Sequence, residues 1–194
     1  MATAEFYECP GCGASVSPDM KKCEYCDNPV IIHSIGVIST FSPLQLNKYA
    51  NSYRKQLAAE PDDRELNRSM GICYLKLKLY DKANEAFERA VTDNFEDADS
   101  YFYAAVGRLK GKKAFVAPRL DIDKAVEYLN AANMIAPNPV NSLMLAYIKK
   151  DYFDRKALQI SPSWTDELSA ARSMGATDAD IDALADLLGV PVSL

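Results

Sequence analysis

The sequence is short of the residues that most enzyme chemistry requires. It has one histidine and eight glycines in 194 residues. There is no glycine-rich phosphate loop, no G-x-S-x-G nucleophile turn and no histidine set up as a base, so the chain is read as non-enzymatic. His33 sits in an apolar stretch and reads as strand or linker. Long apolar runs are missing too. The longest, residues 30–38, is broken by His33 and Ser34 and falls well short of the roughly 20 residues a membrane span needs. The opening MATAEFYECP has neither a positive n-region nor an apolar h-region, so no signal peptide is expected. Together these absences predict a soluble, cytoplasmic protein with no membrane span. Positive charge is also in deficit: 22 Lys and Arg against 27 Asp and Glu, a net −5. That balance argues against bulk binding of nucleic acid or anionic membrane. What is present is an ordinary globular composition, 48% hydrophobic and 25% charged, enough for one sizeable domain or a medium one with a small companion.

Four of the five cysteines stand in CPGCGASVSPDMKKCEYC, as Cys9-x2-Cys12 and Cys23-x2-Cys26. Each C-x-x-C pair can fold into a knuckle that aims two sulfurs at one ion, and Zn²⁺ accepts four such ligands tetrahedrally. Gly11 and Gly13 suit the tight turn. Four thiolates on Zn²⁺ leave a charge of −2, which Lys21 and Lys22 are placed to offset. A redox C-x-x-C would be a single pair at a helix start in a βαβ unit, and neither feature is present. A disulfide framework does not fit a reducing compartment. The expectation is one structural Zn²⁺ per chain on Cys9, Cys12, Cys23 and Cys26, with redox or iron chemistry as the alternatives and Cys73 free. A site closed by four protein ligands has no place for water or substrate, so it is a folding staple. The stretch resembles the short zinc-ribbon domains at bacterial protein termini, with Cys9, Pro10, Cys12 and Gly13 forming the Cys-Pro-x-Cys-Gly first knuckle. Asp27 stands where that family usually has Gly. The ribbon is assigned residues 1–34, with the start of the β-branched run 29–41 as its last strand and 35–42 as linker.

Ser42-Pro43 offers an N-cap and a first-turn proline for a helix ending near Ala59. A period then appears: Asn67-x2-Met70-Gly71-x2-Tyr74, followed by Ala83-x3-Phe87-x2-Ala90-x4-Phe95. It resembles the 34-residue tetratricopeptide repeat, with Asn67 and Phe95 where Trp and Pro are commoner. The pattern restarts at Tyr101-x2-Ala104-Ala105 and completes late, after an insertion, as Ala125-x3-Leu129-x2-Ala132-x4-Pro137. Tyr49, Tyr53 and Pro61 mark a partial preceding unit. Leu143, Ala146 and Tyr147 mark a further first helix with a bulky Tyr147 in a small-residue slot. The fold class is therefore mostly α: a tetratricopeptide-like α-solenoid over 43–158 (repeats 64–97 and 98–139), the β zinc ribbon before it, and a helix pair at 159–194. The insertion is expected to bulge from the solenoid without disturbing its stacking. In the last pair, Thr177 and Asp180 form a cap, and Gly189 a stop. The run DADIDALAD fails as a calcium loop, because Ala183 replaces the turn glycine and Gly189 the bidentate Glu.

The repeat resemblance implies a concave groove lined by the first helix of each unit, holding a protein or peptide partner. Carrying the register across places Arg68, Ile72, Leu75, Phe102, Val106, Leu109, Met144 and Ile148 there. Arg68, Ile72 and Tyr103 stand where a clamp for acidic chaperone tails needs Lys and Asn, so an apolar peptide or amphipathic helix is the expected ligand. The chain's own C-terminal helices are the competing occupant, through Ile181, Leu184 and Leu188. The rival reading is nucleic-acid association, through Arg108, Lys110, Lys112, Lys113 and Arg119 of the insertion, with Phe115 to stack on a base. Against it stand Glu5, Glu8, Asp19, Glu24 and Asp27 of the ribbon. A zinc-thiol redox-sensitive regulator is a lesser alternative.

Overall fold

The computed structural model describes residues 7–17 and 20–194; Glu5 and Asp19, counted above, lie outside them. The described residues are mostly helical, with one small antiparallel sheet near the N-terminus. They divide into two compact units, Met1–Asn94 and Phe95–Leu194.

In the first unit, β1 (Tyr7–Glu8) pairs with β2 (Ser15–Val16), Tyr7 opposite Val16. Cys9, Val16, Cys23 and Val30 form a small buried core beneath them. The expected third strand does not form. After one bridge between Lys22 and Pro29, the chain leaves the sheet and makes a 3-10 turn at Ile35–Ile38. The reason is side-chain burial on the helices: Ile32 and Ile38 are fully buried, and the Ser69 hydroxyl takes the role of a ladder partner. It accepts from the Ile32 N–H at 3.0 Å and donates to the Ile32 carbonyl at 3.3 Å. His33 is exposed in this connector.

Three helices follow, α1 (Pro43–Gln56), α2 (Arg64–Lys76) and α3 (Tyr80–Val91). Local chemistry starts the first two. Ser42 and Gln45 form a reciprocal capping box on α1, and the Asp63 carboxylate accepts from the Leu66 N–H on α2. The α2–α3 hairpin closes tightly because Gly71 lies against Phe87. A Cβ on Gly71 would come within 2.7 Å of that fully buried ring. Ala83, Ala86 and Ala90 keep the α3 side of the seam thin. Asn67, in the position a Trp more often holds, is buried and braces the turn by donating to the Pro61 and Asp63 carbonyls, both at 2.8 Å.

The second unit begins with α4 (Ala98–Leu109) and α5 (Arg119–Ile135), again paired over small residues: Ala104, Ala105, Ala125 and Ala132 are buried. Next comes α6 (Pro139–Ile148), N-capped by Asn138; it runs on as a π-helical turn, Lys149–Phe153, and a 3-10 turn, Asp154–Lys156. The last helices are α7 (Trp164–Ser173) and α8 (Asp178–Leu188). Ser163 and Asp166 form a capping box on α7, while Gly175 and Gly189 take left-handed conformations after the two helices. α7 packs along α6, and α8 lies on both α4 and α6.

The insertion is not a free bulge. Ala114 is fully buried, and its N–H donates to the Tyr147 hydroxyl at 3.3 Å. The Phe115 N–H donates to the Asp151 carboxylate at 2.8 Å. The bulky Tyr147 thus serves as the insertion's anchor. Deleting 112–117 is expected to lower the melting temperature of the second unit by roughly 5 °C or more, since two hydrogen bonds and a buried turn together are worth more than about 1 kcal/mol. A thermal melt checks this, and an unshifted transition would mean that the turn contributes nothing.

Candidate functional site

The ribbon's two turns are built alike. In the first, the Cys9 N–H donates to the Ala14 carbonyl, and the Gly13 N–H donates back to the Cys9 carbonyl, at 2.9 and 2.8 Å. The second repeats this with Cys23, Asn28 and Asp27, both bonds at 2.9 Å. Each turn requires a residue of positive φ four places after its first cysteine: Gly13 at +83° and Asp27 at +55°. Aspartate tolerates that region better than most side chains, so the second knuckle keeps its geometry without glycine. A Cβ on Gly11 would lie 2.8 Å from Asn28 Nδ2 and 3.0 Å from its Cβ, so Asn28 would have to shift to admit one.

These turns bring the Sγ atoms of Cys9, Cys12, Cys23 and Cys26 within 4.8 Å of one another. Cys9 and Cys26 are 3.6 Å apart and Cys12 and Cys23 3.7 Å, far beyond a disulfide bond. A tetrahedron with metal–sulfur bonds of about 2.3 Å has edges of about 3.8 Å, so the four fit a metal ion of that size. Without metal, burial pushes the Cys9 thiol up to about 12, whereas the Asn28 backbone N–H brings Cys26 down to about 6. The Asn28 side chain adds a hydrogen bond of 3.4 Å to the Cys26 sulfur. Cys73 lies apart from them, buried in α2, and burial raises its thiol to about 12.

Spacing did not reveal how the ribbon is held. Lys48 Nζ on α1 donates to the Gly11 carbonyl inside the first knuckle. Gln56 pairs with the Glu8 backbone on both sides, accepting at 3.0 Å and donating at 3.2 Å. The Tyr49 and Tyr53 hydroxyls donate to the Pro29 and Val30 carbonyls at 3.2 and 2.8 Å. The Tyr7 hydroxyl donates to Asp63, the residue that caps α2. Lys22 pairs with Asp27 at 3.6 Å. A positive charge at the first knuckle therefore comes from a helix, in addition to the Lys21 and Lys22 that the sequence suggested.

The residues projected onto a groove are largely covered. Ile72 and Leu75 are buried in the first unit, and Val106, Leu109, Met144 and Ile148 in the second; Arg68 and Phe102 are half-buried. In the second unit α8 packs on both α4 and α6, and its Leu184 and Leu188 are buried. With Val106, Leu109, Met144 and Ile148 buried, α4 and α6 present no open apolar groove at these residues.

The basic insertion is also engaged. Arg108 faces Asp121 at 3.5 Å, and Arg119 holds Asp123 at 2.8 Å. Lys110 closes α4, while Lys112 and Lys113 are exposed. Phe115 is half-buried, with the Arg155 guanidinium 4.0 Å from its ring centre and Lys156 at 5.0 Å, so its face is not open to a base.

One polar cluster gave no sequence signal. Lys149 in the π-helical turn is 2% exposed; its ammonium donates to Glu167 of α7 at 2.5 Å and to the Pro162 carbonyl at 2.9 Å.

No family model matches the chain. Among characterised proteins it is similar to the BBSome complex member BBS4 of Bos taurus, 26% identical over 139 residues. The match covers 67% of this chain, which spans 25% of that protein's length. Among the described residues, no helix is long and apolar enough to cross a membrane.

Proposed function

We propose that this chain is a non-enzymatic protein-interaction scaffold. Its helices form tetratricopeptide-like hairpins, and a ribbon holding one structural Zn²⁺ on Cys9, Cys12, Cys23 and Cys26 staples the first unit. The carrying observation is the hairpin seam, in which Gly71 admits Phe87 and the small residues of α4 and α5 repeat the arrangement. Similarity to a member of a multiprotein complex supports protein partners. All five cysteines are free of disulfide bonds, which suits a reducing compartment, the cytoplasm. The interaction face is assigned to α4 and α6, with Phe102, Val106, Met144 and Ile148, and it becomes available when α8 leaves.

Nucleic-acid association is disfavoured by the pairing of Arg108 and Arg119 and by the cations over Phe115. The two readings separate in one experiment. A scaffold retains a protein partner from native extract, loses it in a folded Phe102→Asp variant, and leaves single- and double-stranded oligonucleotides unbound at low salt. Oligonucleotide binding that weakens steeply with salt would overturn it.

A further inference from the structure

α8 has the makings of a detachable element. Its caps are local: the Thr177 N–H and hydroxyl both donate to the Asp180 carboxylate at 2.7 Å, and Gly189 ends the helix at φ +68°. It therefore stays a competent helix start whether docked or free. Of its 11 residues only Leu184 and Leu188, one turn apart, are buried. Asp178, Asp182 and Asp186 are exposed. By contrast α7 is tied to the π-helical turn through the buried Lys149–Glu167 pair. The link between the two helices passes through Gly175 at φ +96°, where Arg172 reaches both the Ala176 carbonyl and Asp178. Just past α8, Pro191 and Ser193 line a cleft of about 290 Å³ with Lys113, Lys150 and Arg155, and with Asp151 and Asp154. Arg172 thus stands at the start of the docked helix, and Lys113 and Lys150 stand near its far end beside the Arg155–Asp151 pair.

We propose that α8 is an internal stand-in for the partner's binding element: the partner presents an acidic amphipathic helix with two leucine-sized residues four positions apart, which replaces α8 on α4 and α6. This rests on the reading of that face as the interaction surface. A face that accepts Leu184 and Leu188 is shaped for that pair on any helix of the same character. Tethering gives α8 an effective concentration on the order of millimolar, so a free helix binds in proportion to the fraction of molecules in which α8 has left.

The test uses the full chain and a fluorescein-labelled synthetic peptide of residues 176–190, with binding read by anisotropy. In Leu184→Asp/Leu188→Asp, α8 is released, seen as faster proteolysis between residues 174 and 177. This variant is expected to bind the peptide roughly tenfold more tightly than the wild type, or better. Adding Phe102→Asp should abolish the binding. If the double variant does not fold, Leu188→Ala gives a weaker release with the same expected direction. Equal binding by wild type and released chain would overturn α8 as the competitor while leaving the interaction face standing. A folded, released variant that ignores the peptide would overturn the partner class, and the face itself is then judged by the Phe102→Asp partner experiment above.

Discussion

Removing the metal from the ribbon is expected to unfold more than the ribbon. Separate cores would predict that Cys12→Ser disrupts residues 7–34 and leaves the helices alone. The structure points elsewhere, because the ribbon's hydrogen bonds end on Lys48, Tyr49, Tyr53 and Gln56 of α1 and on Asp63, which caps α2. Tyr53 is fully buried, and its hydroxyl would lose the Val30 carbonyl if the second knuckle opened. Binding of structural zinc is worth roughly 10–16 kcal/mol in zinc-finger peptides, where it is expressed as folding. Loss of even part of this, with three or four tertiary hydrogen bonds at about 1 kcal/mol each, should lower the stability of the first unit by several kcal/mol. Thermal unfolding followed at 222 nm should show one helical transition moving far down on addition of a strong chelator. Elemental analysis of untreated protein should give one zinc per chain. A helical melt indifferent to chelator, or protein without zinc, would refute the coupling or the metal respectively.

Breaking the Lys149–Glu167 pair from one side should be nearly as severe. Glu167→Ala leaves the Lys149 ammonium at 2% exposure with only the Pro162 carbonyl to receive it. Stranding a buried charge in this way typically costs about 3–5 kcal/mol, roughly 12 °C or more in the melting temperature of a unit this size. Replacing both partners, as Lys149→Met with Glu167→Leu, removes the stranded charge and should recover most or all of that loss. Chemical denaturation of the two variants measures the difference. If Glu167→Ala stays within about 0.5 kcal/mol of wild type, as exposed substitutions do, then water reaches the ammonium and the pair is not a buried one.

Much of the local architecture was legible in the sequence. Ser42 with Pro43 and Gln45, and Thr177 with Asp180, act within one helical turn, so a short window contains cause and effect. The cysteine knuckles are equally local, each closed by a backbone bond across four residues. Even Asp27, an exception to the glycine of the resembling family, needed only its own backbone conformation to comply.

What spacing left open were choices among partners far apart in the chain. The start of the run 29–41 read as strand because β-branched side chains favour extended backbone. Burial of Ile32 and Ile38 and the Ser69 hydroxyl decided otherwise. The insertion read as a free bulge because the repeat pattern resumes after it, while the contacts that fix it are backbone N–H groups meeting Tyr147 and Asp151. Periodicity determined that Met144, Ile148, Leu184 and Leu188 each needed cover, since apolar surface gains from leaving water whatever it meets. Because that gain has no direction, the sequence by itself left open which face would meet which, and only the packed chain laid α8 on α4 and α6.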